Sequence, residues 1–151
     1  MIDRAHIGTS WPPFDVEIDK SRLRLFAKAI GETRPEYVDE AAARRAGYRS
    51  LLAPPTFANC LAADDPAGFR YLQDLGIPMA RMLHGEQTLV YHQPLCAGDR
   101  VTVSRRVADI YEKRNGALEF VKFEMAVRRT EDQALLAECV SVLVIRNEVS
   151  K

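Results

Sequence analysis

The chain changes its hydrophobic rhythm once, from a helical period to an alternating one. Leu23, Phe26, Ala27 and Ile30 fall at i, i+3, i+4 and i+7, which predicts a helix with a single buried face. Ser21 is placed to cap that helix and Gly31 to end it. Asp39 can cap a second, alanine-rich helix that Gly47 closes. Pro54 and Pro55 set an extended approach to a central buried helix beginning over Thr56 to Ala63. Asp64-Asp65-Pro66 interrupts it, and Ala67 to Leu75 resumes helix before Gly76 and Pro78.

Alternation takes over afterwards. Met82–Gln93, Arg100–Glu112, Leu118–Arg129 and Leu135–Arg146 read as strands, joining a short early strand at Phe14–Ile18. Val121, Phe123, Met125 and Val127 share one face, opposite Lys122, Glu124 and Arg128. Ala137 to Ile145 is apolar on both faces, the pattern of a strand inside a sheet. Gly98-Asp99 predicts a turn, and Asn115-Gly116 a type I′ hairpin. Helices followed by strands argue an α+β domain over 1–151, with five antiparallel strands around one helix.

Composition narrows the partners. Lys and Arg number 21, as do Asp and Glu, so no electrostatic footprint for nucleic acid is expected. No apolar run is long enough to span a bilayer, and no polybasic run suggests a membrane surface. The opening MIDRAHIGTSWPPF lacks the apolar run of a signal peptide, so the expected location is the cytoplasm. Cys60, Cys96 and Cys139 are far apart and odd in number, which fits free core thiols.

The segment LRLFAKAIGETRPEYVDEAAARRAGYRSLLAPPTF, Leu23 to Phe57, resembles the overhang and helix start of MaoC-like hydratases and dehydratases. Leu83-His84-Gly85-Glu86-Gln87, Tyr91-His92-Gln93-Pro94-Leu95 and Ala97-Gly98-Asp99 resemble the next strand pair of the N-terminal-type, FAS1-like members, among them the substrate-binding partner of mycobacterial hydroxyacyl-ACP dehydratases. The resemblance implies a hot-dog fold, an antiparallel sheet wrapped around a helix. It implies an acyl-CoA or acyl-ACP thioester as ligand, no cofactor, and a homodimer or a heterodimer with a second MaoC-like chain. Catalytic members carry Asp-x-Asn-Pro-x-His in the overhang loop; here those positions read Glu32-Thr33-Arg34-Pro35-Glu36-Tyr37.

Three groups of residues are candidates for chemistry. Hydrating an enoyl thioester needs a base to activate water and a donor to polarise the carbonyl. Glu32 and Tyr37 stand at the Asp and His positions, with Arg34 beside them. Either they act on substrate, or Glu32 and Arg34 are loop charges and Tyr37 packs across the overhang. His84 and Glu86 lie two apart on a predicted strand, hence on one face, where they can orient each other or merely close a strand end. A metal reading lacks a third ligand, because His92 falls roughly 26 Å along the strand at about 3.3 Å per residue. Pro55, Thr56, Phe57 and Asn59 surround the helix start, whose free N–H groups suit a thioester oxygen unless the helix is simply capped. His6, Trp11, Arg105 and Arg106 read as surface or packing residues.

Three functions remain open. The chain is an (R)-specific enoyl-thioester hydratase or 3-hydroxyacyl dehydratase with an altered loop, a non-catalytic acyl-binding subunit paired with a catalytic chain, or, third, a hot-dog thioesterase.

Overall fold

The computed structural model describes residues 1–147; residues 148–151, the end of the expected 1–151 domain, lie outside the described residues. Five strands form one antiparallel sheet in the order β1-β3-β4-β5-β2. They are β1 Phe14–Glu17, β2 Met82–Tyr91, β3 Arg100–Lys113, β4 Leu118–Arg129 and β5 Leu135–Arg146. All five expected strands are present, and the doubly apolar β5 lies inside the sheet, between β4 and β2.

The helices precede the long strands. α1 (Lys20–Ala29) is capped by Asp19, whose carboxylate accepts from the Arg22 N–H, so the cap expected at Ser21 is two residues earlier. Two short helices, α2 (Pro35–Val38) and α3 (Glu40–Arg45), make the overhang. The central helix is shorter than expected. α4 covers Phe57–Cys60 and tightens into a 3-10 turn at Leu61–Asp64. α5 spans Arg70–Asp74.

The concave face of the sheet wraps α4. Phe57, Ala58 and Leu61 sit against Val101, Val103, Val127 and Ala137 in one cluster. Phe57 is 1% exposed and meets Phe26 edge-on at 5.4 Å. Fully burying side chains of this size contributes about 1.5–3 kcal/mol each. A second cluster continues past α5, where Trp11 meets Tyr71 edge-on at 5.9 Å.

Turns differ from expectation where several left-handed residues adjoin. The β3–β4 connection is a four-residue turn, Arg114 to Ala117, rather than a two-residue one, with positive φ at Arg114, Asn115 and Gly116. The Gly98-Asp99 turn forms as expected. Buried Asp99 accepts from the Cys96 N–H at 2.8 Å and from Arg49 Nε at 2.8 Å, tying the overhang to the start of β3.

Candidate functional site

Two helix ends build the overhang site. α1 closes in a Schellman arrangement: Gly31 takes φ +70° and the Glu32 N–H reaches back to the Ala27 carbonyl at 2.9 Å. α3 closes the same way, with Gly47 at φ +93° and the Tyr48 N–H on the Ala43 carbonyl at 3.0 Å. Each glycine permits a turn that a side chain would strain. The residues immediately after them, Glu32 and Tyr48, are thereby fixed at the overhang.

Glu32 does not face a substrate as a free base. Its carboxylate accepts from the N–H groups of Thr33 and Arg34, both at 3.0 Å, and from the Arg34 guanidinium at 2.7 Å. The Arg34 side chain, held by hydrogen bonds, drives the Glu32 carboxyl down to about 2. Arg34 also lies 4.6 Å over the Tyr37 ring. Tyr37 is 6% exposed, and burial pushes its phenol above its usual value. Glu32, Arg34 and Tyr37 form a charge-and-stacking clasp, held by groups from one loop.

Tyr37, Tyr48, Pro55, Tyr91 and Leu95 line a cavity of about 360 Å³. The Tyr91 hydroxyl donates to the Pro55 carbonyl at 2.7 Å, so this wall is pinned to the approach of α4. The Leu52 N–H donates to the Glu36 carbonyl, and the Ala53 N–H to Leu95. The helix start itself offers less than expected. The Phe57 N–H already donates to the Pro54 carbonyl at 2.9 Å, and the Phe57 side chain belongs to the core. Exposed Thr56 makes no side-chain cap.

His84 and Glu86 do not share a face. β2 carries a bulge between them, so His84 pairs with Leu143 and Glu86 with the adjacent Val142. Successive strand residues point to opposite sides, and the pair therefore does too. Gly85 is the inserted residue, and a Cβ there would lie 2.6 Å from Val144 Cγ2. An unbroken two-residue parity, assumed from the sequence, fails at this glycine. His84 instead edges a second cavity with Asn59, Arg105 and Ser141.

The structure thus places Tyr37 and Pro55 at one cavity, with Arg34 over the Tyr37 ring and Glu32 bound to Arg34, and His84 and Asn59 at another. Sequence reading passed over Tyr48 and Tyr91 and left Arg105 as a surface or packing residue. Arg105 alternates with Val101, Val103 and Val107, an inward parity that marks it as buried; it is 8% exposed, whereas Arg106 is exposed and pairs with Glu124. Among the described residues no three His, Cys, Asp or Glu side chains converge as metal ligands, and no helix is long and apolar enough to cross a membrane.

Comparison with known proteins agrees with this architecture. A family model described as "FAS1-like, dehydratase domain region" matches residues 5–137. A UPF0336 protein of Thermobifida fusca is 32% identical over 148 residues, covering 97% of this chain and 95% of that protein. The HadBC (3R-hydroxyacyl-ACP dehydratase) complex from Mycobacterium tuberculosis contains a chain that superposes with a TM-score of 0.79 at 24% identity, covering 92% of this chain and 96% of that one. The ChsH1-ChsH2 complex of the same organism gives 0.72 at 20% identity, covering 94% and 86%. The five-stranded antiparallel sheet with few helices matches the hot-dog fold of these neighbours, and the chain belongs to the FAS1-like dehydratase-region family.

Proposed function

We propose that this chain is the acyl-thioester-binding component of a MaoC-like (R)-specific enoyl-thioester hydratase or 3-hydroxyacyl-thioester dehydratase, with the acid–base step supplied by a second MaoC-like chain. The observation that carries the reading is the state of Glu32. A carboxylate already engaged by the Thr33 and Arg34 N–H groups and by the Arg34 guanidinium, which together lower its pKa, is a weakened base near neutrality. Tyr37, with its phenol pushed up, does not accept a proton there either. The cavity that Tyr37 lines is predominantly apolar, as an acyl chain requires. Two of the structural neighbours are themselves described as complexes of two named components.

Association is read through the free edge of β2, which exposes Leu83 and Val90. An uncovered strand edge is a template for pairing with another sheet. The occupant of the cavity is an acyl-CoA or acyl-ACP thioester.

The test is reconstitution. The chain is mixed with a MaoC-like chain that retains Asp-x-Asn-Pro-x-His, and crotonyl-CoA hydration is followed. The expected result is a stable complex whose KM is lower than that of the catalytic chain alone. No complex and no change in KM would overturn the pairing.

A further inference from the structure

Most aromatic rings of this protein meet another ring. Trp11, Phe69 and Phe123 each contact Tyr71, Phe26 meets Phe57, and Tyr111 stacks on Phe120 at 4.8 Å. Among the described residues, Phe14, Tyr37, Tyr48 and Tyr91 have no ring partner. Phe14 packs against the main core cluster. The other three all line the cavity of about 360 Å³.

The three tyrosines are held before any ligand arrives. The Tyr91 hydroxyl is spent on the Pro55 carbonyl at 2.7 Å, so the polar tip is satisfied and the ring body is left as wall. Arg34 covers the Tyr37 ring at 4.6 Å, and the Tyr37 N–H donates to the Arg34 carbonyl at 3.1 Å. Tyr48 packs on the buried cluster that contains Tyr37. Pro55 and Pro94 add rigid rings to the same wall. A tyrosine turns about two side-chain bonds, so such a wall loses little conformational entropy when a ligand packs on it. A linear acyl chain gains only burial from it. A flat ring gains burial and also offset or edge-to-face contacts with the tyrosines.

We propose that the acyl group taken by this cavity is aromatic: an enoyl thioester with an aryl group at C3, its ring set among those of Tyr37, Tyr48 and Tyr91. This rests on the reading of the chain as an acyl-thioester-binding component and names the class of acyl group. The purine of CoA is a flat ring too, and it is present on every CoA thioester, so it drops out of any comparison between them.

Calorimetric titration of the purified chain with cinnamoyl-CoA, 3-cyclohexylacryloyl-CoA, crotonyl-CoA and free CoA tests the assignment. Cinnamoyl-CoA is expected to bind about two- to tenfold more tightly than the cyclohexyl thioester, which matches it in carrier and skeleton but lacks the aromatic ring. Free CoA is expected to bind more weakly than either. Tyr48→Leu brings the two affinities together. In the labelled wild-type chain, the cinnamoyl ring protons give NOEs to the rings of Tyr37, Tyr48 and Tyr91, a readout that stands if Tyr48→Leu fails to fold. Equal affinity for the two thioesters in the wild-type chain, an undiminished ratio in a folded Tyr48→Leu, or absence of those NOEs would overturn the aromatic assignment. Free CoA binding as tightly as cinnamoyl-CoA would overturn it as well, by putting the purine in the cavity. Crotonyl-CoA separates this inference from the reading beneath it. Saturable crotonyl-CoA binding without an aryl preference overturns the aromatic assignment alone, whereas no binding of any thioester overturns both.

Discussion

Arg34 holds the carboxylate of Glu32, two residues before it, through contacts from Nη2 at 2.7 Å and Nε at 3.2 Å. The same guanidinium covers the Tyr37 ring, so both positions that the sequence resemblance aligns with a catalytic Asp and His are tied to one cation. Charge-assisted bonds of this kind stabilise the ionised carboxylate and so weaken it as a base.

The clasp has a pH signature. The folded-state pKa of Glu32 is depressed from an ordinary 4.5 to about 2. Its contribution to stability is therefore complete above about pH 4.5 and is lost as pH falls toward about 2. Glu40 adds to the same window, its carboxyl lowered to about 2 by Lys20 and then Arg44. A carbon-detected NMR titration of Glu32 is expected to show a midpoint near 2 that moves back toward 4.5 in Arg34→Ala. A wild-type midpoint at 4.5 contradicts the clasp.

Installing the acid–base pair of the resembled pattern requires releasing the clasp. Glu32→Asp with Tyr37→His leaves Arg34 in place, and that double variant is expected to hydrate crotonyl-CoA no faster than the parent. Adding Arg34→Asn completes the Asp-x-Asn-Pro-x-His pattern and is expected to raise the rate at least about tenfold, within the range a positioned base supplies. Equal rates for the double and triple variants would show that Arg34 is not the obstacle.

Gly85 sets the β2 bulge. A Cβ at this position would lie 2.6 Å from Val144 Cγ2 and 3.1 Å from the Val142 carbonyl oxygen. Gly85→Ala is expected to destabilise the fold by about 1–3 kcal/mol, the usual cost of overpacking. Val144→Ala should recover part of that loss. Urea denaturation of the single and double variants measures both, and an undiminished midpoint in Gly85→Ala would contradict the close approach.

Association through β2 is testable on its own. Leu83 is 53% exposed and Val90 46%. Lysine at both positions is expected to abolish the dimer with the second MaoC-like chain, seen by light scattering, while leaving Tm within about 2 °C, since edge charges block pairing without touching the core. A dimer that survives both changes uses another surface.

The sheet was readable because its strands are long and their alternation is clean; Val121 to Val127 is an unbroken example. The overhang was readable through Gly31 and Gly47, whose left-handed conformations end two helices. The shortness of α4 was not, because apolar runs do not distinguish an α turn from a 3-10 turn. Nor was the bulge at Gly85, since one inserted residue reverses parity with no change in composition. For the site, the positions of Glu32 and Tyr37 were visible, but their state was not. It depends on where the Arg34 side chain lies, which spacing does not specify. Arg105, read as a surface or packing residue, shares the inward parity of Val101, Val103 and Val107, which already favoured packing.

The central claim is that this chain binds an acyl thioester without turning it over. Crotonyl-CoA offered to the purified chain alone, with binding and loss of enoyl absorbance followed on the same sample, tests it most directly. Saturable binding is expected, with turnover no faster than buffer and unchanged in Glu32→Gln. Hydration at an enzymatic rate by the isolated wild-type chain, abolished in Glu32→Gln, would contradict it.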